Sequence, residues 1–219
     1  MRTIDVDALA VGFGFRPSSE LLQLLGVAGS FDALGDFRVD CDAQGRTSVA
    51  GVYAAGEVVA LAGARAAEAR GVLVAAAADA DLRGVSGTAV ASRIVEGAGV
   101  VLARERTFAK VVDALFPMAP ERLVVAEAAT LVCRCEGVTA SAIMQAADLG
   151  WNDPASAKGA TRAGMGPCQG RLCAPVVSAL VARATGRRDP PPAPRMPLKP
   201  VPLAELASLT EPSTVVDAL

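Results

Sequence analysis

The apolar and polar positions of this 219-residue chain change period several times, and each change marks an element. Ala8 to Val11 is an unbroken apolar run followed by Gly12, Gly14 and Pro17, which predicts a short buried strand and a turn. Leu21, Leu22, Leu24 and Leu25 then form the apolar side of a short helix, capped by Ser18 or Ser19 and stopped by Gly26. Phe37 to Val39 and Ser48 to Ala54 are the next strand-like runs. The polar connection from Asp40 to Arg46 joins them as a hairpin-like excursion.

Gly51-Val52-Tyr53-Ala54-Ala55-Gly56-Glu57 leads into an alanine-rich helix expected from about Gly63 to Asp81. A strand ending in Gly-acid before a helix is a typical place for a ligand. Between Ala89 and Phe116 the spacing of Ile94, Val95, Val101, Leu102, Val111, Val112 and Leu115 predicts a helix with one apolar face. Arg93, Glu96, Arg104, Glu105, Arg106 and Lys110 lie opposite, and Pro117 and Pro120 close the segment.

Further on, Thr139 caps a helix over Ala140 to Ala147, with Ile143, Met144 and Ala147 on one face and Gly150 at its end. Pro175 fits the first turn of another helix, whose Val176, Val177, Leu180 and Val181 face a core. These textures divide the chain into residues 1–84 (short β-like runs and glycine turns), 85–125 (a helical connector), 126–186 (a small, mostly helical module) and 187–219. The last stretch holds eight of the fourteen prolines and reads as an extended tail.

Composition narrows the function. A hydrophobic fraction of 52% supplies ample core material, whereas 4% aromatics and a net charge of −2 suit neither base stacking nor phosphate binding along nucleic acid. The longest clean apolar run, Gly71 to Ala78, is far below the roughly 20 residues of a spanning helix. Asp5 and Asp7 interrupt any signal-like stretch, so a cytoplasmic protein is expected. Histidine is absent. That removes the commonest general base, two-Cys-two-His zinc fingers and Rieske ligation, so a metal here must be held by thiolate or carboxylate.

Four of the five cysteines are grouped: Cys133-x-Cys135, then 32 residues, then Cys168-x4-Cys173. In a cytosolic chain such grouping points to one metal centre rather than disulfides. Gly164, Gly166 and Gly170 let the backbone curl round a centre and offer N–H groups to sulfur. The helix after Cys173 points its positive end at the thiolates. Arg134, Lys158, Arg162 and Arg171 lie near enough in sequence to offset an anionic [2Fe-2S] cluster. Spacing alone leaves a structural four-cysteine zinc site open as well, although zinc pairs usually enclose two to four residues.

Residues 129–186 resemble the [2Fe-2S]-binding domain named after bacterioferritin-associated ferredoxin. The likeness rests on Cys133-Arg134-Cys135-Glu136, Lys158, and the run from Thr161 to Cys173 (TRAGMGPCQGRLC). It implies that Cys133, Cys135, Cys168 and Cys173 are cluster ligands. The Cys-x4-Cys ending resembles the version fused to flavoproteins.

Residues 1–84 resemble the last part of a pyridine nucleotide-disulfide reductase-type flavoprotein. The match rests on Ala10-Val11-Gly12-Phe13-Gly14-Phe15-Arg16-Pro17-Ser18 and on Thr47-Ser48-x-x-Gly51-Val52-Tyr53-Ala54-Ala55-Gly56-Glu57. The resemblance implies that Glu57, where many relatives have Asp, hydrogen-bonds flavin-chain hydroxyls while Gly56 permits close backbone approach. It further implies an α/β chain: the C-terminal part of a two-dinucleotide-binding flavoprotein fold followed by a small helical [2Fe-2S] domain. The Gly-x-Gly-x-x-Gly turns of complete members are absent. FAD would then bind only with an N-terminal portion or partner completing its site.

The pairing of these two modules, with Pro197-Leu198-Lys199-Pro200-Val201-Pro202-Leu203 in the tail, resembles the FAD-containing subunit of opine oxidases, hydroxyproline or proline dehydrogenases, and hydrogen cyanide synthase. The resemblance implies electron relay for a partner flavoprotein subunit that oxidises an amino or imino acid such as an opine, hydroxyproline, proline or glycine. It implies no catalytic residue in this chain itself. The competing readings are a zinc-stabilised binding module and a non-functional fragment of a longer flavoprotein. Cys41 in its polar turn reads as incidental, Trp151-Asn152-Asp153 as a turn with a packed indole, and Lys158, Thr161 and Arg162 as either cluster neighbours or a solvated helix face. The tail reads as a partner ligand or a strap on its own subunit.

Overall fold

The computed structural model describes residues 3–10, 12, 14–84, 92–124 and 127–208. The chain forms two compact units, Met1–Leu123 and Val124–Leu219. It is helix-rich with two small antiparallel sheets, and no parallel pairing occurs among the described residues. None of the described helices is long and apolar enough to cross a membrane.

In the first unit, residues 8–10 are exposed and unpaired rather than a buried strand; Val11 lies outside the described residues. A strand exists only by pairing, and no described strand offers these residues a ladder. Helix α1 spans Glu20–Leu24 after Ser19. The Ser19 hydroxyl does not cap it but accepts a hydrogen bond from Gln23 Nε2 at 3.1 Å. Strands β1 (Gly29–Phe31) and β2 (Phe37–Val39) pair antiparallel, with Phe31 opposite Phe37 and their rings edge-to-face at 5.4 Å. Thus β2 pairs backwards with β1 instead of forwards with Ser48–Ala54.

Asp32 nucleates the β1–β2 turn. Its Oδ1 accepts from the N–H groups of Leu34 and Asp36 at 2.9 and 3.0 Å, and its Oδ2 from Arg38 Nε at 2.8 Å. Ser48–Ala54 forms turns rather than a strand because Thr47 Oγ1 takes the Val49 N–H and donates to the Val52 carbonyl at 2.8 Å. Only isolated bridges, Cys41 with Thr47 and Arg46 with Tyr53, remain of the expected hairpin.

Helix α2 (Ala64–Arg83) ends on Gly84, whose φ of +63° is the left-handed cap that glycine adopts without strain. Helix α3 spans Ser92–Leu115. Ala66 and Ala69 of α2 pack with Ala98 and Leu102 of α3, the small side chains permitting close approach. The rest of the apolar face expected on α3 is not covered: Ile94, Val111 and Leu115 are 57%, 51% and 67% exposed.

The second unit pairs β3 (Leu131–Cys133) with β4 (Val138–Thr139) and continues as α4 (Ala140–Asp148), α5 (Pro154–Thr161), α6 (Ala174–Thr185) and α7 (Leu203–Ser208). Thr139 caps α4 as its position predicts, its hydroxyl accepting the Ala142 N–H. Helix α5 follows a capping box in which Asp153 Oδ1 takes the N–H groups of Ala155 and Ser156, with Pro154 in the first turn. Trp151, ahead of it, is half exposed rather than packed.

The core of this unit joins Cys133 and Val138 to Ile143 of α4, Ala157 of α5, and Val177, Leu180 and Val181 of α6. Ile143 and Leu180 are wholly buried. Each such side chain contributes about 1.5–3 kcal/mol by leaving water. Two of the grouped cysteines are therefore built into the same packed nucleus as the helices.

Candidate functional site

Cys133 ends β3, Cys135 sits in the turn before β4, Cys168 lies in the loop after α5, and Cys173 is the residue that caps α6. All four are free of disulfides. The fold brings them together as two pairs. Cys133 and Cys173, 1% and 3% exposed, are within hydrogen-bonding reach of each other, and so are Cys135 and Cys168 at the surface. Each pair takes one thiol from Cys-x-Cys and one from Cys-x4-Cys.

Their electrostatics differ from thiol to thiol. Burial, reinforced by Cys133, pushes the Cys173 thiol up to about 12. At Cys168 burial works upward, yet the N–H of Gly170, the Cys135 thiol and the N–H groups of Leu172 and Arg171 outweigh it and hold the group below its ordinary value. Cys135 accepts the Cys168 N–H, which lowers it, but donating toward the Cys168 sulfur, burial and neighbouring sulfurs leave it raised. The Gly164 N–H reaches Cys133 Sγ at 3.4 Å. Backbone donors thus already point at all four sulfurs, as anionic thiolates require.

A tetrahedral zinc takes four ligands around one point, whereas a two-iron cluster takes two thiolates at each iron. Two facing pairs bridging two loops match the second demand. The residues present therefore fit a [2Fe-2S] group, which would supply one-electron chemistry.

The loops are closed by contacts that spacing does not reveal. Arg162, in left-handed conformation at φ +66°, donates from Nε to Glu136 Oε2 at 2.9 Å. Gly166 packs directly on Cys135: a Cβ there would collide with Cys135 Cβ and lie 3.2 Å from Glu136 Oε1. Arg171 donates from Nη2 to the Leu198 carbonyl at 3.0 Å, fastening the tail beside the cysteine loop. Of the cations expected to offset an anionic cluster, Arg162 and Arg171 thus have other partners, Lys158 is half-buried and Arg134 exposed. Thr161 caps the end of α5 instead, donating to the Ala157 carbonyl and accepting the Ala163 N–H.

In the first unit, Gly56 adopts φ +77° and opens a 3-10 turn, Gly56–Val58, before α2. A Cβ at Gly56 would meet only Ala67 Cβ, at 3.8 Å, so this face of the backbone is open to close approach. Glu57 is exposed, which leaves its carboxylate able to accept hydroxyl donors. Gly56 and Glu57 fit the end of a flavin site, and the described residues form no glycine-rich pyrophosphate turn. Cys41, also in the first unit, is half-buried at the edge of the Cys41–Thr47 bridge.

Comparison with known proteins adds two domain matches and a set of relatives. Residues 131–183 match the BFD-like [2Fe-2S] binding domain, and residues 1–80 match the pyridine nucleotide-disulphide oxidoreductase domain. The whole chain aligns at 36% identity with an opine oxidase subunit of Agrobacterium tumefaciens (strain Ach5), covering 44% of that protein. It also aligns over 95% of its length, at 32% identity, with hydrogen cyanide synthase subunit HcnB of Pseudomonas aeruginosa, covering 45% of it. The corresponding opine oxidase subunit of Rhizobium meliloti is 36% identical over the whole chain, which covers 42% of it. The chain therefore spans less than half the length of the relatives it matches. No solved structure matches it. The domain matches support a [2Fe-2S] cluster and FAD as the cofactors.

Proposed function

We propose that this chain, in which part of a pyridine nucleotide-disulphide oxidoreductase domain precedes a BFD-like [2Fe-2S] binding domain, is an electron-transfer component of a flavin and iron–sulfur oxidoreductase complex. Residues 1–84 contribute the closing part of an FAD domain, 85–125 a helical connector, 126–186 the cluster module and 187–219 a tail. Cys133, Cys135, Cys168 and Cys173 would hold the cluster, which would supply one-electron chemistry. The observation that carries this reading is the arrangement of the four thiols as an inner and an outer pair, each bridging the two cysteine loops.

Cys135 is exposed and Cys168 partly so, which would leave this side of the cluster nearest to solvent. Gly56 and Glu57 approach the flavin, and a partner or N-terminal portion completes the site. The relatives' names place them as subunits of opine oxidase and hydrogen cyanide synthase. By that analogy, substrate oxidation of an amino- or imino-acid type falls to a partner flavoprotein subunit, and this chain carries electrons away from it.

Iron and acid-labile sulfide assays on the purified chain test the proposal. It expects a brown protein with about two of each per chain. A colourless chain with a single zinc would refute it.

A further inference from the structure

Gln169, immediately after Cys168, adopts φ +53°. Among the described residues, only it and Arg162 take a left-handed conformation without being glycine, and both lie on the loop that carries Cys168. A residue with a Cβ enters that region at a cost, so its surroundings must hold it there. Gly170 follows at φ +81°, and the two consecutive left-handed residues reverse the chain directly after the cysteine.

The Gly166 carbonyl is what holds Gln169. It accepts the Gln169 backbone N–H at 2.8 Å and the side-chain Nε2 at 3.2 Å. The first bond closes the turn Gly166-Pro167-Cys168-Gln169, and the second doubles that closure from the side chain. Gln169 is exposed, yet its amide turns back on its own loop. Both flanks of the reversal meet the other cysteines. Gly166 packs on Cys135, while a Cβ on Gly164 would lie 3.3 Å from Gly170 Cα and 3.7 Å from Cys173 Sγ. Gly164 in turn donates its N–H to Cys133 Sγ at 3.4 Å. The N–H groups of Gly170, Arg171 and Leu172, just past the reversal, face the Cys168 sulfur.

We propose that Gln169 is a positioning residue for the [2Fe-2S] site: by clasping the Gly166 carbonyl, its amide fixes the reversal that aims backbone N–H donors at the cysteine sulfurs. The inference rests on the electron-transfer reading above. N–H donors to thiolate sulfur favour the more negative, reduced form of such a group and so raise its reduction potential. Without the clasp the loop slackens and the potential falls. A residue that merely filled the loop would change how much cluster the chain retains and leave the potential where it was.

The test uses the 219-residue chain, reconstituted anaerobically with iron and sulfide, and reads the midpoint potential by spectroelectrochemical titration. Gln169→Met removes the amide donor at similar length. Gln169→Gly removes it too but relieves the left-handed backbone, and it decides the matter alone should Gln169→Met not fold. Both variants should show a lower midpoint potential than wild type and lose the cluster to chelator about threefold faster, in line with losing one hydrogen bond. A potential unchanged in both variants, whatever their cluster content, overturns the proposal and leaves the electron-transfer reading intact. A shift in Gln169→Met with none in Gln169→Gly also overturns it, since backbone strain rather than the amide would then be the cause. A wild-type chain that takes up no iron–sulfur cluster overturns the electron-transfer reading and this inference with it.

Discussion

Arg162 Nε donates to Glu136 Oε2 at 2.9 Å, tying the residue that follows Cys135 to a residue six positions ahead of Cys168. The pair is the polar latch between the two cysteine loops. Arg162 is 67% exposed and Glu136 18%, so the bond is partly screened and contributes about 0.2–1 kcal/mol. Glu136→Gln and Arg162→Gln should each speed loss of the visible cluster absorbance in chelator. The melting temperature of the cluster-free chain should hardly change. Equal rates in wild type and both variants would show that the latch does not secure the cluster.

The two thiol pairs should respond differently to serine. Cys133 and Cys173 are sealed in the core, where a hydroxyl is a poorer ligand and finds no water to help it. Cys133→Ser and Cys173→Ser are expected to abolish cluster assembly. Cys135 is exposed, and Cys135→Ser should retain a reduced amount of cluster with an altered visible spectrum. Anaerobic reconstitution followed by absorbance and iron assay distinguishes the two patterns.

Gly166 supplies a purely steric prediction. Its constraint is contact with Cys135 rather than a left-handed φ, so Gly166→Ala must push the two loops apart. Overpacking of this kind costs about 1–3 kcal/mol. Urea unfolding of the second unit should register the loss, and cluster content should fall with it. Gly159→Ala, inside α5 where a Cβ meets nothing within 4 Å, is the control: it should hold or slightly raise stability, as Ala does over Gly in a helix, and leave cluster content unchanged.

A pH dependence is expected from Asp81. Hydrogen bonds from Arg46 at 2.7 Å and Tyr53 at 2.5 Å hold its carboxyl down to about 2, against an ordinary 3.8. Because the folded value is the lower one, its contribution to stability is complete above 3.8 and disappears as pH falls toward 2. Asp81→Asn should therefore melt earlier than wild type near neutral pH. The gap should close across that acid window. A gap that persists at its floor would assign the effect to something other than this carboxylate.

Where the sequence is legible, periodicity and end signals agree. The alanine-rich α2, the Thr139-capped α4 and the Pro175-led α6 follow from apolar spacing bounded by caps, glycine and proline. Elements set by a single side chain are harder to see. The turn at Asp32 creates the β1–β2 pair; Phe37–Val39 reads as a strand in the sequence, but its three-residue partner Gly29–Phe31 is too short for alternation to show. The Thr47 hydroxyl diverts Ser48–Ala54 from strand to turn. The box Asp153-Pro154-Ala155-Ser156 is a visible signal for α5, masked by the turn-like Trp151-Asn152 just ahead of it.

At the cysteines, spacing points to one centre but not to how the thiols pair. Pairing depends on β3 and the start of α6 meeting in one core, a tertiary fact. The Glu136–Arg162 latch has the same origin: each residue stands out in its own motif, and their meeting across 26 positions does not. The apolar face of α3 shows the converse, since periodicity predicts a face without saying that anything in the same unit covers it.

The bond from Arg171 to the Leu198 carbonyl has a practical consequence for anyone who shortens this protein. Residues 187–219 look dispensable, and a cloning boundary or a stray protease cut would naturally fall among their prolines. Ending the chain before Leu198 takes an acceptor from a side chain that sits between Cys168 and Cys173. A trimmed preparation with every cysteine intact can then differ from the full chain in colour yield, without any mutation to explain it.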